Sequence, residues 1–78
     1  MRRRTWDDIP DICWRLRQAR EAAGWTQAEF GRWMPRPRSH AAVSDIERGK
    51  TTITLNILRA YAGLCGTSLA TLIDEGVP

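Results

Sequence analysis

SHAAVSDIERGK, residues 39–50, is the stretch of this sequence that decides the fold, because it carries the marks of one short amphipathic helix. Ser39 is a residue type that caps helix N-termini, since its hydroxyl can accept a hydrogen bond from an unpaired backbone N–H group. Val43 and Ile46 are three residues apart and therefore lie on one side of a helix. Gly49 can adopt the left-handed backbone that commonly ends a helix. The stretch thus predicts a helix between Ser39 and Gly49, with an apolar inner side.

The first helix of the chain is predicted to begin near Ile9 and to end at Gly24. Asp8 is a suitable N-cap, and Pro10 is tolerated in the first turn because its missing N–H group would be unpaired there anyway. One apolar stripe at helical spacing runs along this segment and consists of Ile12, Leu16, Ala19 and Ala23. We expect this stripe to pack on the core.

Three further short helices complete the pattern. The sequence TQAE at 26–29 is a capping box for a second helix, which Pro35 prevents from continuing. A fourth helix is predicted between residues 54 and 66, and Ser68 can cap a fifth. The chain therefore predicts a compact all-α domain of five helices.

Composition limits the size of the core and the class of partner. The chain has 78 residues, of which 42% are apolar, and this suffices for one small domain. Twelve Lys and Arg residues against nine Asp and Glu give a net charge of +3, and the pI is near 9.5. This balance favours a polyanionic partner without establishing one. No apolar run approaches the roughly 18 residues that span a bilayer, so we expect no membrane association and a cytosolic, cytoplasmic location.

Catalytic and metal chemistry have little support in the sequence. Cys13 and Cys65 form no CxxC motif, and His40 is the only histidine, so no convincing metal-ligand set is present. We expect two free thiols rather than a disulfide. Because no nucleophile has a plausible base beside it, we also expect no enzymatic activity and no cofactor.

Three separated motifs resemble the Cro/repressor (Xre-type) helix-turn-helix family. In family order and at near-family spacing, they are REAAGWTQAEF at 20–30, VSDIERGK at 43–50, and the segment that runs from TL at 54–55 to GTSL at 66–69. The resemblance covers roughly residues 9–73. It implies a compact five-helix, lambda-repressor-like DNA-binding domain at 9–75, followed by a C-terminal tail at 76–78. Before it, residues 1–8 form a basic N-terminal arm, in which Arg2, Arg3 and Arg4 could follow the DNA backbone or enter a minor groove; the default alternative is a solvated terminus.

The resemblance assigns roles to individual side chains. Gln27, in the first turn of the second helix, would hydrogen-bond a DNA phosphate; the alternative is a neutral helix-start residue. Arg20 and Glu47 would form an ion pair that fixes the third helix on the scaffold and does not contact DNA. The third helix would lie in the major groove and present to the base edges Ser39, His40, Ala41, Ser44 and Asp45.

The chemistry of these groove-facing positions is unusual for the family, which often has Gln or Arg there. Ala41 could contact a thymine methyl, and Ser44 could pair with several bases. His40 could donate to a purine or a phosphate, or be only a polar first-turn residue. Asp45 could accept from a cytosine amino group, or be a surface carboxylate offset by Arg48.

Basic residues outside the helix suggest contacts with the DNA backbone. Arg48 and Lys50 lie beside the predicted C-terminus of the third helix, where cations are favourable without any partner; the resemblance adds a phosphate role. The segment from Met34 to Arg38, sequence MPRPR, is about two residues longer than the family's turn. Its prolines make it stiff, and Arg36 and Arg38 would lie near the groove edge, where bidentate phosphate contact is plausible. The same segment could instead tilt the third helix away from the family's pose.

The resemblance implies a sequence-specific DNA-binding transcriptional regulator, with repression as the expected effect. One small module contacts few base pairs, and the family usually dimerises on a palindromic operator. Apolar residues near the C-terminus exceed what the core obviously needs, which predicts a homodimer through Leu69, Leu72, Ile73 and Val77. The alternative is that the fifth helix only seals the core.

A second function is compatible with the same scaffold. It is a protein-interaction module that binds a toxin or another regulator through the fifth helix and the two tryptophans Trp6 and Trp14. Within the DNA-binding class, the sequence does not distinguish a phage-type repressor, an antitoxin that represses its own operon, and a controller of a restriction system.

Overall fold

Five α-helices follow one another along residues 11–73, which are the part of the chain that the computed structural model describes. In chain order they are α1 (Ile12–Ala22), α2 (Gln27–Trp33), α3 (His40–Glu47), α4 (Leu55–Cys65) and α5 (Leu69–Ile73). These residues contain no strand. The predicted all-α, five-helix fold is therefore confirmed.

The start of α1 differs from the prediction. The helix begins at Ile12 rather than near Ile9, because Asp11 at the N-cap has a left-handed backbone with φ of 59°. A left-handed residue cannot continue a right-handed helix toward the N-terminus. Asp8, Ile9 and Pro10, on which the prediction rested, lie outside the described residues.

The predicted caps of the next three helices are present. Thr26 Oγ1 accepts the backbone N–H of Glu29, and Glu29 Oε1 accepts the backbone N–H of Thr26, both at 3.1 Å. The hydroxyls of Ser39 and Thr54 each accept an N–H from three residues further on, at 3.2 Å. Each cap satisfies a donor that the first helical turn leaves unpaired. The sequence therefore places these three helix starts correctly.

One apolar core lies between the helices. Its largest fully buried side chains are Tyr61, Phe30, Leu16, Ile46, Leu58 and Val43. The rings of Phe30 and Tyr61 lie 4.4 Å apart between centroids, joining α2 to α4. Val43 and Ile46 face inward as predicted, but Ala23 is exposed because α1 ends at Ala22.

α5 packs against α1 and α4, and this position corrects one predicted dimer residue. Leu72 is only 3% exposed and belongs to the core, so it is not available to a second copy. Leu69 and Ile73 are half-buried and pack against the same core. Val77 lies outside the described residues. At Leu72, therefore, α5 closes the core, which is the alternative to a dimer contact at this position.

The connection between α2 and α3 is closed rather than loose. Met34 has an extended backbone, with ψ of 148°, as expected for a residue that precedes proline. At the other end, the backbone N–H of Arg38 donates to the carbonyl of Gly31 at 2.9 Å. A side chain at Gly31 would collide with the carbonyl oxygen of Arg38. The extra residues thus form an excursion that returns directly onto α2.

The two cysteines are half-buried and neither forms a disulfide, as the sequence predicts. Burial raises the pKa of the Cys65 thiol.

Within residues 11–73, no three His, Cys, Asp or Glu side chains are grouped so as to hold a metal ion. In the same range, every helix is too short or too polar to cross a membrane.

Candidate nucleic-acid interface

α3 has one buried side and one free side. Val43 and Ile46 are fully buried. The opposite side carries residues spaced at intervals of three and four, the spacing that lines one face of a helix. These outer residues are Ala41, Ser44, Asp45 and Arg48; the first and last are exposed and the middle two half-buried. His40 is exposed at the start of the same helix. Four of the five side chains that the resemblance assigned to the base edges are thus brought together on a single accessible face; the fifth, Ser39, uses its hydroxyl to cap the helix.

α3 is held in place by its last residue, Glu47. Arg20 donates to this carboxylate twice, from Nε to Oε2 at 2.8 Å and from Nη2 to Oε1 at 3.0 Å. Tyr61 donates its hydroxyl to Oε2 at 2.7 Å, and Gln27 donates its amide Nε2 to Oε1 at 3.2 Å. Arg20 also donates Nη1 to the carbonyl of Trp25 at 2.7 Å. The ion pair implied by the resemblance is therefore the centre of a larger network that joins α1, α2, α3 and α4.

The network is charged and largely removed from water. The Arg20 side chain is 7% exposed and that of Glu47 is 2% exposed. Burial by itself raises the pKa of Glu47, but hydrogen bonds from Arg20, Tyr61 and Gln27 outweigh it and hold the pKa below the ordinary value. The hydrogen bond to Glu47 raises the pKa of Arg20. Burial, followed by the hydrogen bond to the carboxylate, raises the pKa of Tyr61. The carboxylate is therefore stabilised in its charged form.

Gln27 has a structural contact that its predicted phosphate role did not include. Its side chain is half-buried and one amide hydrogen is directed at Glu47. The residue remains in the first turn of α2, where its backbone N–H has no acceptor within the helix. Gln27 thus positions α3 whether or not it also contacts a phosphate.

Four cationic side chains precede or follow α3 along the chain and form no ion pair within the described part of the chain. Arg36, Arg48 and Lys50 are exposed and Arg38 is half-buried. All ion pairs among residues 11–73 involve Arg17 or Arg20 instead. The predicted offset between Asp45 and Arg48 is not among them. Within residues 11–73, therefore, no ion pair neutralises these four positive charges.

Sequence reasoning missed two features of the site. The first is the hydroxyl of Tyr61: a buried tyrosine hydroxyl usually needs a hydrogen-bond partner, and this rule could have suggested one. The second is Trp33 in α2, whose side chain is 63% exposed. Trp14 is 61% exposed and Trp6 lies outside the described residues. The two exposed tryptophans are on different helices, α1 and α2.

Comparison with protein families agrees with this geometry. Residues 11–75 match a family model described as a helix-turn-helix domain. The chain belongs to this helix-turn-helix family. In this helix-turn-helix domain, α2 and α3 form the motif, and the MPRPR segment takes the place of the turn. No curated protein matches the chain.

Proposed function

We propose that this helix-turn-helix domain is a sequence-specific DNA-binding transcriptional regulator of the Cro/Xre type, non-enzymatic and acting as a repressor in the cytoplasm. The observation that carries the proposal is the outer face of α3. This face is accessible, and cations that form no ion pair within residues 11–73 precede and follow α3 along the chain. The helix itself is fixed to three other helices through Glu47. A preorganised helix of this kind loses little conformational entropy when it binds.

The proposed contacts divide into two groups. Residues on α3 would meet base edges in the major groove. Ala41 would contact a thymine methyl, Ser44 could pair with several bases, and Asp45 would accept a hydrogen bond from a cytosine amino group. Ser39 and His40 would lie at the groove entrance. Cations would bind phosphates and supply most of the salt-dependent affinity; they are Arg36, Arg38, Arg48 and Lys50. A repressor would act by occupying a promoter in this way.

A homodimer on a palindromic operator is part of the proposal. Because Leu72 is used in the core, the proposed dimer contact consists of the half-buried Leu69 and Ile73 together with Val77, which lies outside the described residues. Two domains related by a two-fold axis would place their α3 helices in successive turns of the major groove. The footprint would then be symmetric.

The experiment that tests the proposal is selection of bound fragments from a random pool of duplex DNA, followed by salt titration on the selected site. We expect a symmetric footprint and an affinity that falls steeply with salt. The double change Arg36→Ala with Arg38→Ala, and the single change Lys50→Ala, should each weaken binding and flatten its salt dependence. Arg32→Ala is the control, since Arg32 is an exposed cation of α2 outside the proposed contacts. Binding no tighter than to random DNA would reject the proposal.

A second candidate function is binding of a protein partner such as a toxin or another regulator. The exposed Trp14 and Trp33 favour it, since aromatic side chains are enriched at protein interfaces. Changing Trp14 to Ser should abolish such a complex and leave DNA binding intact. The two functions are compatible in an antitoxin that represses its own operon.

A further inference from the structure

A cleft separates the MPRPR segment from the first half of α4. It encloses about 350 Å³. Its buried lining is apolar and comes from both walls: Met34 on one side, and Ile57 and Ala60 on the other. Arg38, which lines the cleft, directly precedes Ser39, the N-cap of α3. The cleft therefore lies next to the start of α3 along the chain.

Three arginines line this cleft. Arg36 and Arg38 belong to the MPRPR segment, and Arg59 belongs to α4. Among residues 11–73, no ion pair involves these arginines and no acidic side chain lines the cleft. Three like charges around one cleft without a counter-charge among these residues repel one another and attract an anion.

We propose that this cleft holds the DNA backbone, with Arg59 of α4 as a phosphate contact from outside the helix-turn-helix motif. The inference rests on the proposed function and adds to it a DNA contact from α4, beside those proposed for α3 and for the MPRPR segment. Arginine binds phosphate through two parallel N–H donors, and the apolar lining fits the C–H face of the neighbouring deoxyribose. The hydrogen bond from the Arg38 backbone to Gly31 fixes the end of the MPRPR segment and thus the backbone of one of the three arginines.

The proposal gives the longer turn a definite purpose. The outer face of α3 carries Ala41 and Ser44, which offer little direct base recognition. Contacts from Arg36, Arg38 and Arg59 would supply affinity that does not depend on base identity. The domain should therefore bind tightly and discriminate modestly between related sites.

The test compares Arg59→Ala with Arg32→Ala on the selected DNA site, in the full chain, over a series of salt concentrations. Each phosphate contact contributes about 0.9 to the slope of log K against log salt. We expect Arg59→Ala to lower the slope by about that amount and to weaken binding several-fold at low salt, whereas Arg32→Ala should change neither. Arg59→Lys should restore most of the slope, because it restores the charge. Thermal melting of all variants establishes that they are folded.

The outcomes separate this proposal from the broader one. If the selected site is bound, and Arg59→Ala behaves like Arg32→Ala, the phosphate contact is wrong and the DNA-binding function stands. If no site is selected at all, the DNA-binding function fails and this proposal fails with it. An acidic peptide, made of Asp and Glu residues with one Leu among them, provides a second probe of the cleft. If Arg59→Ala abolishes binding of this peptide but leaves DNA binding unchanged, the cleft belongs to a protein partner and the proposal is overturned.

Discussion

Tyr61 donates a hydrogen bond of 2.7 Å to Glu47, and this contact joins the middle of α4 to the last residue of α3. The same carboxylate also accepts hydrogen bonds from Arg20 of α1 and Gln27 of α2. One buried charged group therefore sets the orientation of α3 relative to three other helices. A buried ion pair adds little net stability when it replaces well-packed apolar residues, but removing one partner is costly. The network is thus best viewed as fixing one arrangement of helices.

Changing Tyr61 to Phe should destabilise the domain by about 1.5–3 kcal/mol, the range for a hydrogen bond to a charged group. The ring contact with Phe30, 4.4 Å between centroids, is retained, so the loss isolates the hydroxyl. Urea unfolding at neutral pH measures the change, and an unchanged m-value would show that the two end states are the same. A loss near zero would mean that water replaces the hydroxyl at the carboxylate.

The stability that Glu47 contributes should depend on pH. Its pKa is lowered in the folded protein, so protonation favours the unfolded state. The contribution is complete above the ordinary glutamate pKa of about 4.3 and is lost as the pH falls through the lowered value. Glu47→Gln lacks this titration. We expect the difference in unfolding free energy between the wild type and Glu47→Gln to be largest at neutral pH and to shrink in acid. A difference that is constant with pH would show that the charge is not what stabilises the fold.

Two glycine-to-alanine changes should have opposite effects. In Gly31→Ala, the new Cβ would collide with the Arg38 carbonyl oxygen and lie 3.1 Å from Val43 Cγ2. Overpacking of this kind typically costs about 1–3 kcal/mol, and it should outweigh the gain in helix propensity. A Cβ at Gly63, in α4, would meet no other part of the fold within 4 Å, so Gly63→Ala should stabilise the domain by about 0.5–1 kcal/mol. Thermal unfolding of both variants tests the close approach of the Arg38 carbonyl to Gly31. An equal gain in stability in both variants would contradict this approach.

Core and dimer roles within α5 can be separated by protein concentration. Leu72→Ala should destabilise the folded chain by about 2–5 kcal/mol at every concentration, since it opens a cavity in the core. Ile73→Ser, at a half-buried position, should instead lower the dimer fraction in sedimentation equilibrium. If both variants remain as dimeric as the wild type, the proposed contact through α5 is wrong.

Local signals in the sequence account for most of the fold. The caps Thr26, Ser39 and Thr54 act on their own helices, and such short-range chemistry is visible in the residues themselves. The predicted start of α1 is wrong because Asp11 has a left-handed backbone, which is not encoded by a recognisable pattern.

Long-range contacts of the site are harder to predict. Arg20 and Glu47 are 27 residues apart, and their pairing follows from family resemblance rather than from spacing. The partnership of Tyr61 with Glu47, and the approach of Arg59 to the MPRPR segment, depend on how α4 packs. No periodicity specifies the packing of one helix on another, so these contacts become visible only in the folded structure.

The division of α3 into an anchored side and a free side also bears on retargeting of the domain. Val43, Ile46 and Glu47 carry the packing, and none of them lies on the outer face. Under the proposed function, a combinatorial library at positions 41, 44 and 45 should therefore change base preference with little effect on folding. The proposed base contacts and the packing contacts belong to different residues of one eight-residue helix, so each set can vary by mutation while the other is kept.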